Sequence, residues 1–107
     1  MTPSMKPALA ALGLAAALSP LAASANQALA QQKACLACHA VDKKLVGPAF
    51  QDVAKKYAGQ KDAEAALARS IKAGGSGKWG PVPMPPQPTL SESEAQTLAA
   101  WVLTGAR

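Results

Sequence analysis

Histidine, cysteine and aromatic side chains are all scarce in this chain. It has one histidine, two cysteines and four aromatic residues in 107, and only 16% of its residues are charged. Two cysteines permit one disulfide at most, which excludes a disulfide-rich scaffold. The length excludes a multi-domain enzyme. The hydrophobic fraction of 50% excludes an intrinsically disordered chain. That fraction is unevenly spread, because residues 1–25 hold sixteen of the hydrophobic residues. The remaining 82 residues have a poor surface-to-volume ratio, so their own core is expected to be marginal. Such a chain needs a staple: a disulfide, a metal or a large cofactor.

Residues 1–25 read as a secretory signal. Lys6 supplies the positive start, Ala8 to Leu18 form an eleven-residue apolar run, and Pro20 breaks it. Ala23-Ser24-Ala25 is a small-x-small cleavage site. Eleven residues are too few to cross a hydrocarbon core, which takes about 20. Asn26, where a lipoprotein would carry cysteine, excludes a lipid anchor. The expected division is a signal peptide over 1–25, cleaved after Ala25, and one domain over 26–107 exported to the periplasm. The mature domain has ten basic and six acidic residues, a net charge of +4.

The patterning predicts an all-α domain of about four short helices and no convincing strand. The first runs from Asn26, a suitable N-cap, to Ala34. The second spans about Ala49 to Ala58, with Phe50, Val53, Ala54 and Tyr57 on one face and Gly59 as its stop. The third runs from an Asp62 cap to about Ala73, with Ala63, Ala66, Leu67, Ser70 and Ile71 as its stripe. The fourth opens on a Ser91–Glu94 capping box and places Ala95, Leu98, Trp101 and Val102 inward, with Gly105 closing it. Between the third and fourth lies a loop from Gly74 to Thr89, glycine-rich and then proline-rich. A structureless stretch of that length in so small a domain is usually functional.

The chemistry lies in Cys35-Leu36-Ala37-Cys38-His39, a C-x-x-C-H attachment signature for c-type haem. On a helical turn, residues three apart share a face, so both thiols reach the two vinyl groups of one porphyrin. His39 then projects its imidazole towards the iron from the same side. A thioredoxin-type disulfide wants a βαβ context that this chain lacks. A zinc site needs about four ligands, and only three such residues exist here. Chance remains the third alternative to attachment, and export, small size and the missing staple weigh against it.

Elimination supplies a second axial ligand. No other histidine exists, and Met1 and Met5 leave with the leader, so Met84 is the one methionine of the mature chain. It lies 45 residues beyond His39, between Pro83 and Pro85, where the backbone has little freedom. Gap-filling in a core is the alternative for Met84, and Lys78 is a weaker candidate ligand because it must first lose its proton. Histidine and methionine together saturate iron and raise its potential, which points to electron transfer rather than catalysis. A haem enzyme or gas sensor with an open sixth position is the competing function, and a haem-free module with a Cys35–Cys38 disulfide is a third. His39 is expected to donate its other ring N–H to a backbone carbonyl, which Pro48 is close enough to supply. Trp79 suits either an indole bond to a haem propionate or simple core packing.

The mature chain resembles the short bacterial class I cytochromes c of the cytochrome c-551 type over essentially all of residues 26–107. The resemblance rests on four stretches: Cys35 to Ala40, Val46-Gly47-Pro48-Ala49-Phe50, Trp79 to Pro86, and Glu94 to Leu103. It implies covalent haem c through Cys35 and Cys38, iron ligated by His39 and Met84, a Pro48 carbonyl bonded to His39, and Trp79 near a propionate. It also implies crossing first and last helices and a monomeric periplasmic shuttle. Such shuttles run from a membrane cytochrome complex to a nitrite reductase, oxidase or peroxidase. Two departures stand out: Gln87 where many relatives carry an asparagine touching the methionine sulfur, and a Pro88-Thr89-Leu90 connection about one residue longer. Lys43, Lys44, Lys55, Lys56, Lys61, Lys72 and Lys78 form either a solvated surface or a ring that steers acidic redox partners. Neither nucleic acid nor stable membrane insertion is expected.

Overall fold

The computed structural model describes residues 2–4 and 25–107. The leader's apolar run and most of its cleavage site lie outside the described residues. Residues 25–32 are helical (α1), so Asn26 sits within the helix rather than capping it. Ala34 then turns into the left-handed region at φ 63° and stops the helix. A single 3-10 turn, Cys35–Ala37, follows.

Three further helices complete the described set: α2 (Phe50–Tyr57), α3 (Ala63–Ala73) and α4 (Glu92–Leu103). The predicted stripe of α2 is its inner face, with Phe50, Val53 and Tyr57 buried. Helix α3 buries Leu67 and Ala68. Asp62 holds its N-cap position without a side-chain capping bond, and Gly74, at φ 66°, ends it. Helix α4 has the full capping box: Glu94 N–H donates to Ser91 Oγ and Ser91 N–H donates to the Glu94 carboxylate, each at 3.0 Å. Both α2 and α3 pack on α4. Ala30 of α1 is fully buried in the same cluster as Ala95, Leu98 and Ala99 of α4, and Lys33 pairs with Glu94 at 3.7 Å.

The expectation of no strand is corrected by the segment after α3. Gly75–Gly77 (β1) and Gly80–Met84 (β2) pair as an antiparallel hairpin, with Gly75 opposite Met84, Gly77 opposite Gly80 and an irregularity between. A proline-rich strand is tolerated because Pro81 and Pro83 alternate with Gly80, Val82 and Met84. One edge can then carry every ladder donor while the missing N–H groups fall on the other. Gly77 and Gly80 adopt φ of 94° and 112°, conformations closed to most other residues.

Candidate cofactor site

The 3-10 turn presents the C-x-x-C-H residues. Cys38 N–H bonds to the Cys35 carbonyl at 3.2 Å and His39 N–H to the same oxygen at 3.0 Å, closing the turn. Both cysteines are half-buried and both thiols are free. Burial pushes the Cys35 thiol above its ordinary range, against a smaller downward pull from its own backbone N–H.

The chain beyond His39 folds back around the imidazole. Gly47 N–H bonds to the Cys38 carbonyl at 2.7 Å, and Phe50 N–H to the Ala40 carbonyl at 2.9 Å. His39 Nδ1 lies 2.7 Å from the Pro48 carbonyl oxygen. A carbonyl only accepts, so Nδ1 carries the proton and Nε2 is left with its lone pair. The Phe50 ring stacks on the imidazole at 5.1 Å and 20°. Gly47 comes so close that a Cβ there would meet Cε1 at 2.5 Å, Nδ1 at 2.8 Å and Nε2 at 3.0 Å. The imidazole is thus held by a hydrogen bond, an aromatic ring and a bare backbone, with the Nε2 lone pair available to a ligand.

Met84 is half-buried at the end of β2. A Cβ on Gly74 would strike its carbonyl oxygen, so the close of α3 backs directly onto the methionine peptide. Gln87 N–H bonds to the Lys72 carbonyl at 2.9 Å, and the Gln87 amide reaches the Pro85 carbonyl only at 3.4 Å. Trp79 is 39% exposed, which removes it from the core. Lys56 Nζ lies 4.3 Å over its ring. Lys78, the weaker ligand candidate, donates instead to the Tyr57 hydroxyl at 3.0 Å. Burial raises the Tyr57 phenol, but the Lys78 and Ser70 hydrogen bonds and the charges of Lys78 and Lys56 outweigh it and hold the phenol below its usual range.

Helix α2 joins the two halves. Its first residue, Phe50, stacks on His39, and its last two, Lys56 and Tyr57, hold the hairpin. Seven residues of α-helix separate these points by roughly 10 Å. The sequence placed Phe50 and Tyr57 on a core stripe and Gly47 in a loop, with Gly47 and Phe50 also in a stretch that carries the resemblance, but it assigned none of the three a role at the site. No local pattern signals the tertiary contacts each of them makes. A surface recess of about 340 Å³ lined by Lys61, Asp62, Glu64, Ala65 and Gln96 contains none of the site residues.

These residues fit a covalent haem. Two unpaired thiols sit three residues apart, and an oriented imidazole has Nε2 free. Met84 is a soft neutral donor. Among the described residues no cluster of three or more His, Cys, Asp or Glu could hold a bare metal ion. The buried Trp101 N–H has no acceptor among the described residues, and Trp101 meets Phe50 edge-on at 5.5 Å and 65°. That leaves an orphaned donor two aromatic contacts from the imidazole.

Comparison with known proteins agrees with this chemistry. Residues 23–106 match the family model described as Cytochrome c. Cytochrome c-551 of Pseudomonas aeruginosa is 59% identical over 78 residues, covering 73% of this chain and 74% of that protein. Cytochrome c-552 of Hydrogenobacter thermophilus is 60% identical over 80 residues, covering 75% and 81%. The crystal structure of wild-type Nitrosomonas europaea cytochrome c552 superposes with a TM-score of 0.71 at 50% identity, covering 73% of this chain and 96% of that one. On this match the chain belongs to the cytochrome c family: it is a small monohaem electron carrier with iron in covalently attached haem c, and not an enzyme.

Proposed function

We propose that the chain is a soluble periplasmic shuttle whose iron is held between His39 and Met84. Cys35 and Cys38 form the two thioethers. The observation that carries this reading is the 2.7 Å bond from His39 Nδ1 to the Pro48 carbonyl, which fixes the tautomer and leaves Nε2 as a ligand. When bound, haem iron supplies a one-electron couple. The chain's own residues do the rest. Pro48 orients the imidazole, Phe50 and Gly47 restrict its rotation, and the half-buried Met84 thioether would hold the iron as the second protein ligand. Trp79, exposed beside Lys56, is available to donate its indole N–H to a haem propionate. A His39–Met84 pair held this rigidly would allow electron exchange with little rearrangement.

Partners on this reading are redox proteins with acidic docking faces, a membrane cytochrome complex as donor and a nitrite reductase, oxidase or peroxidase as acceptor. The net charge of +4 on the mature domain supports steering of that kind. The leader over 1–25, cleaved after Ala25, delivers the chain to the periplasm as a monomer. No helix among the described residues is long and apolar enough to cross a membrane.

Carbon monoxide added to the reduced protein tests the ligand set. With Met84 on the iron, binding at neutral pH is slow and incomplete, whereas Met84→Ala binds at once and has a lower potential. Fast, complete binding by the unaltered protein returns the open-site enzyme or sensor in place of the carrier.

A further inference from the structure

The tip of the β1–β2 hairpin is fastened to α2 by two lysines that cross between the elements. Lys56 of α2 donates to the Lys78 carbonyl at 2.8 Å and lies over the Trp79 ring. Lys78 of the hairpin donates to the Tyr57 hydroxyl, its Nζ 5.4 Å from the Tyr57 ring centroid. The one ion pair among the described residues is Lys33–Glu94, so neither of these ammonium groups is neutralised by a carboxylate. Bringing two like charges to one corner is unfavourable, and free surface lysines would simply stay hydrated. The four contacts offset that repulsion, and what they hold in place is the turn leading into β2.

The far end of β2 is held differently. Met84 pairs with Gly75, Gly74 backs its peptide, and Gln87 N–H reaches the Lys72 carbonyl. Those restraints are made by backbone and persist in any side-chain variant. Each tip contact needs a side chain, and Lys56 and Tyr57 lie on α2 rather than on the strand that bears Met84. We propose that Lys56, Lys78 and Tyr57 form a clasp that keeps the hairpin seated, and so sets how readily the Met84 sulfur is displaced. They are positioning residues, acting through β2, and the inference rests on reading Met84 as the iron ligand.

The test titrates imidazole into the oxidised, haem-loaded protein while following the sulfur-to-iron charge-transfer band. The band in the unaltered protein establishes the ligand, and its absence there removes the Met84 reading and the clasp with it. Given the band, Tyr57→Phe deletes one acceptor without changing charge, and imidazole binds about threefold more tightly. The pair Lys56→Gln with Lys78→Gln opens the clasp, and binding tightens about tenfold. Hydrogen exchange of the α4 amides stays unchanged in both, because the opening is local. Two outcomes overturn the proposal while leaving Met84 as ligand. One is both variants binding within about twofold of the unaltered protein, a shift too small for loss of such contacts. The other is a shift in the double glutamine variant with none in Tyr57→Phe, which makes charge, not the clasp, the cause.

Discussion

Gly47→Ala isolates the packing that orients His39. Gly47 is not among the glycines at positive φ, so alanine meets no backbone strain there. Its cost is purely spatial: the new Cβ would lie 2.5 Å from His39 Cε1 and 2.8 Å from Nδ1. Ordinary carbon contacts begin near 3.5 Å, so ring and loop must part by about 1 Å. The Phe50 ring stacks on the same imidazole at 5.1 Å, so tilting the ring disturbs that contact as well. An extra methyl in a packed site costs about 1–3 kcal/mol, and the stretched Nδ1–Pro48 bond adds about 1 kcal/mol. Together these lower the thermal midpoint of the holoprotein by roughly 10–25 °C for a domain of this size. The His39 Nδ1 proton, followed by NMR, exchanges faster in the variant. Gly59→Ala is the control. Gly59 has φ 77° and nothing within 4 Å of a Cβ, so it costs only the strain of about 1 kcal/mol. If Gly47→Ala melts within a few degrees of the unaltered protein, or no lower than Gly59→Ala, the close approach does not hold the imidazole.

Further outcomes follow from other contacts. Phe50→Leu keeps an apolar core residue but loses the stack on His39 and the edge contact with Trp101, so the haem methyl NMR shifts of the oxidised protein redistribute as the imidazole plane turns. Ser91→Ala removes the acceptor of the capping box and lowers stability by about 1 kcal/mol, read from denaturant unfolding. The Glu94 carboxyl is held below its ordinary value of 4.5, first by the Ser91 backbone N–H and less by Lys33. A depressed folded value stabilises the fold above the unfolded value. That contribution disappears as pH falls through the folded one, and it does so in Ser91→Ala as well, because the backbone N–H of residue 91 survives the substitution. The Tyr57 phenol, also depressed, ionises earlier than an ordinary tyrosine in an ultraviolet titration, and Lys78→Gln moves it back up.

Features encoded within one element were legible in the sequence. The i, i+3, i+7 spacing of Phe50, Val53 and Tyr57 gave the buried face of α2, and Ser91 with Glu94 gave the start of α4. The C-x-x-C-H spacing gave the haem. What escaped depends on contacts between elements. A hairpin built from Gly75-Ser76-Gly77 and alternate prolines has no apolar alternation, so its period-2 pattern is invisible and it reads as loop. Asn26 suits a cap by residue type, but the helix already includes residue 25. Lys56, Lys78 and Trp79 carry no marker of their mutual contacts, because solvated lysines and a clasp have the same local sequence.

The core explains why the cofactor is structural as well as redox-active. Of the thirteen buried hydrophobic residues among the described ones, five are alanines (Ala30, Ala49, Ala68, Ala95 and Ala99), and no large side chain among them is fully buried. Alanine contributes little apolar area, and a domain of this size has no surplus to spare. Leu45, Val46, Trp79 and Val82 are large apolar residues left 39–59% exposed, so part of the chain's bulky apolar surface lies outside that core. A covalently attached macrocycle supplies the large apolar surface that the alanines do not. Replacing both Cys35 and Cys38 with alanine prevents attachment while changing little of the chain's own packing, since both are only half-buried. The expected product has helical signal but no cooperative thermal transition and poor NMR dispersion, because its alanine-rich faces pack without a fixed partner. A sharp transition near that of the holoprotein would show that the alanine-built core suffices alone, and would reduce the haem to a passenger on a preformed shell.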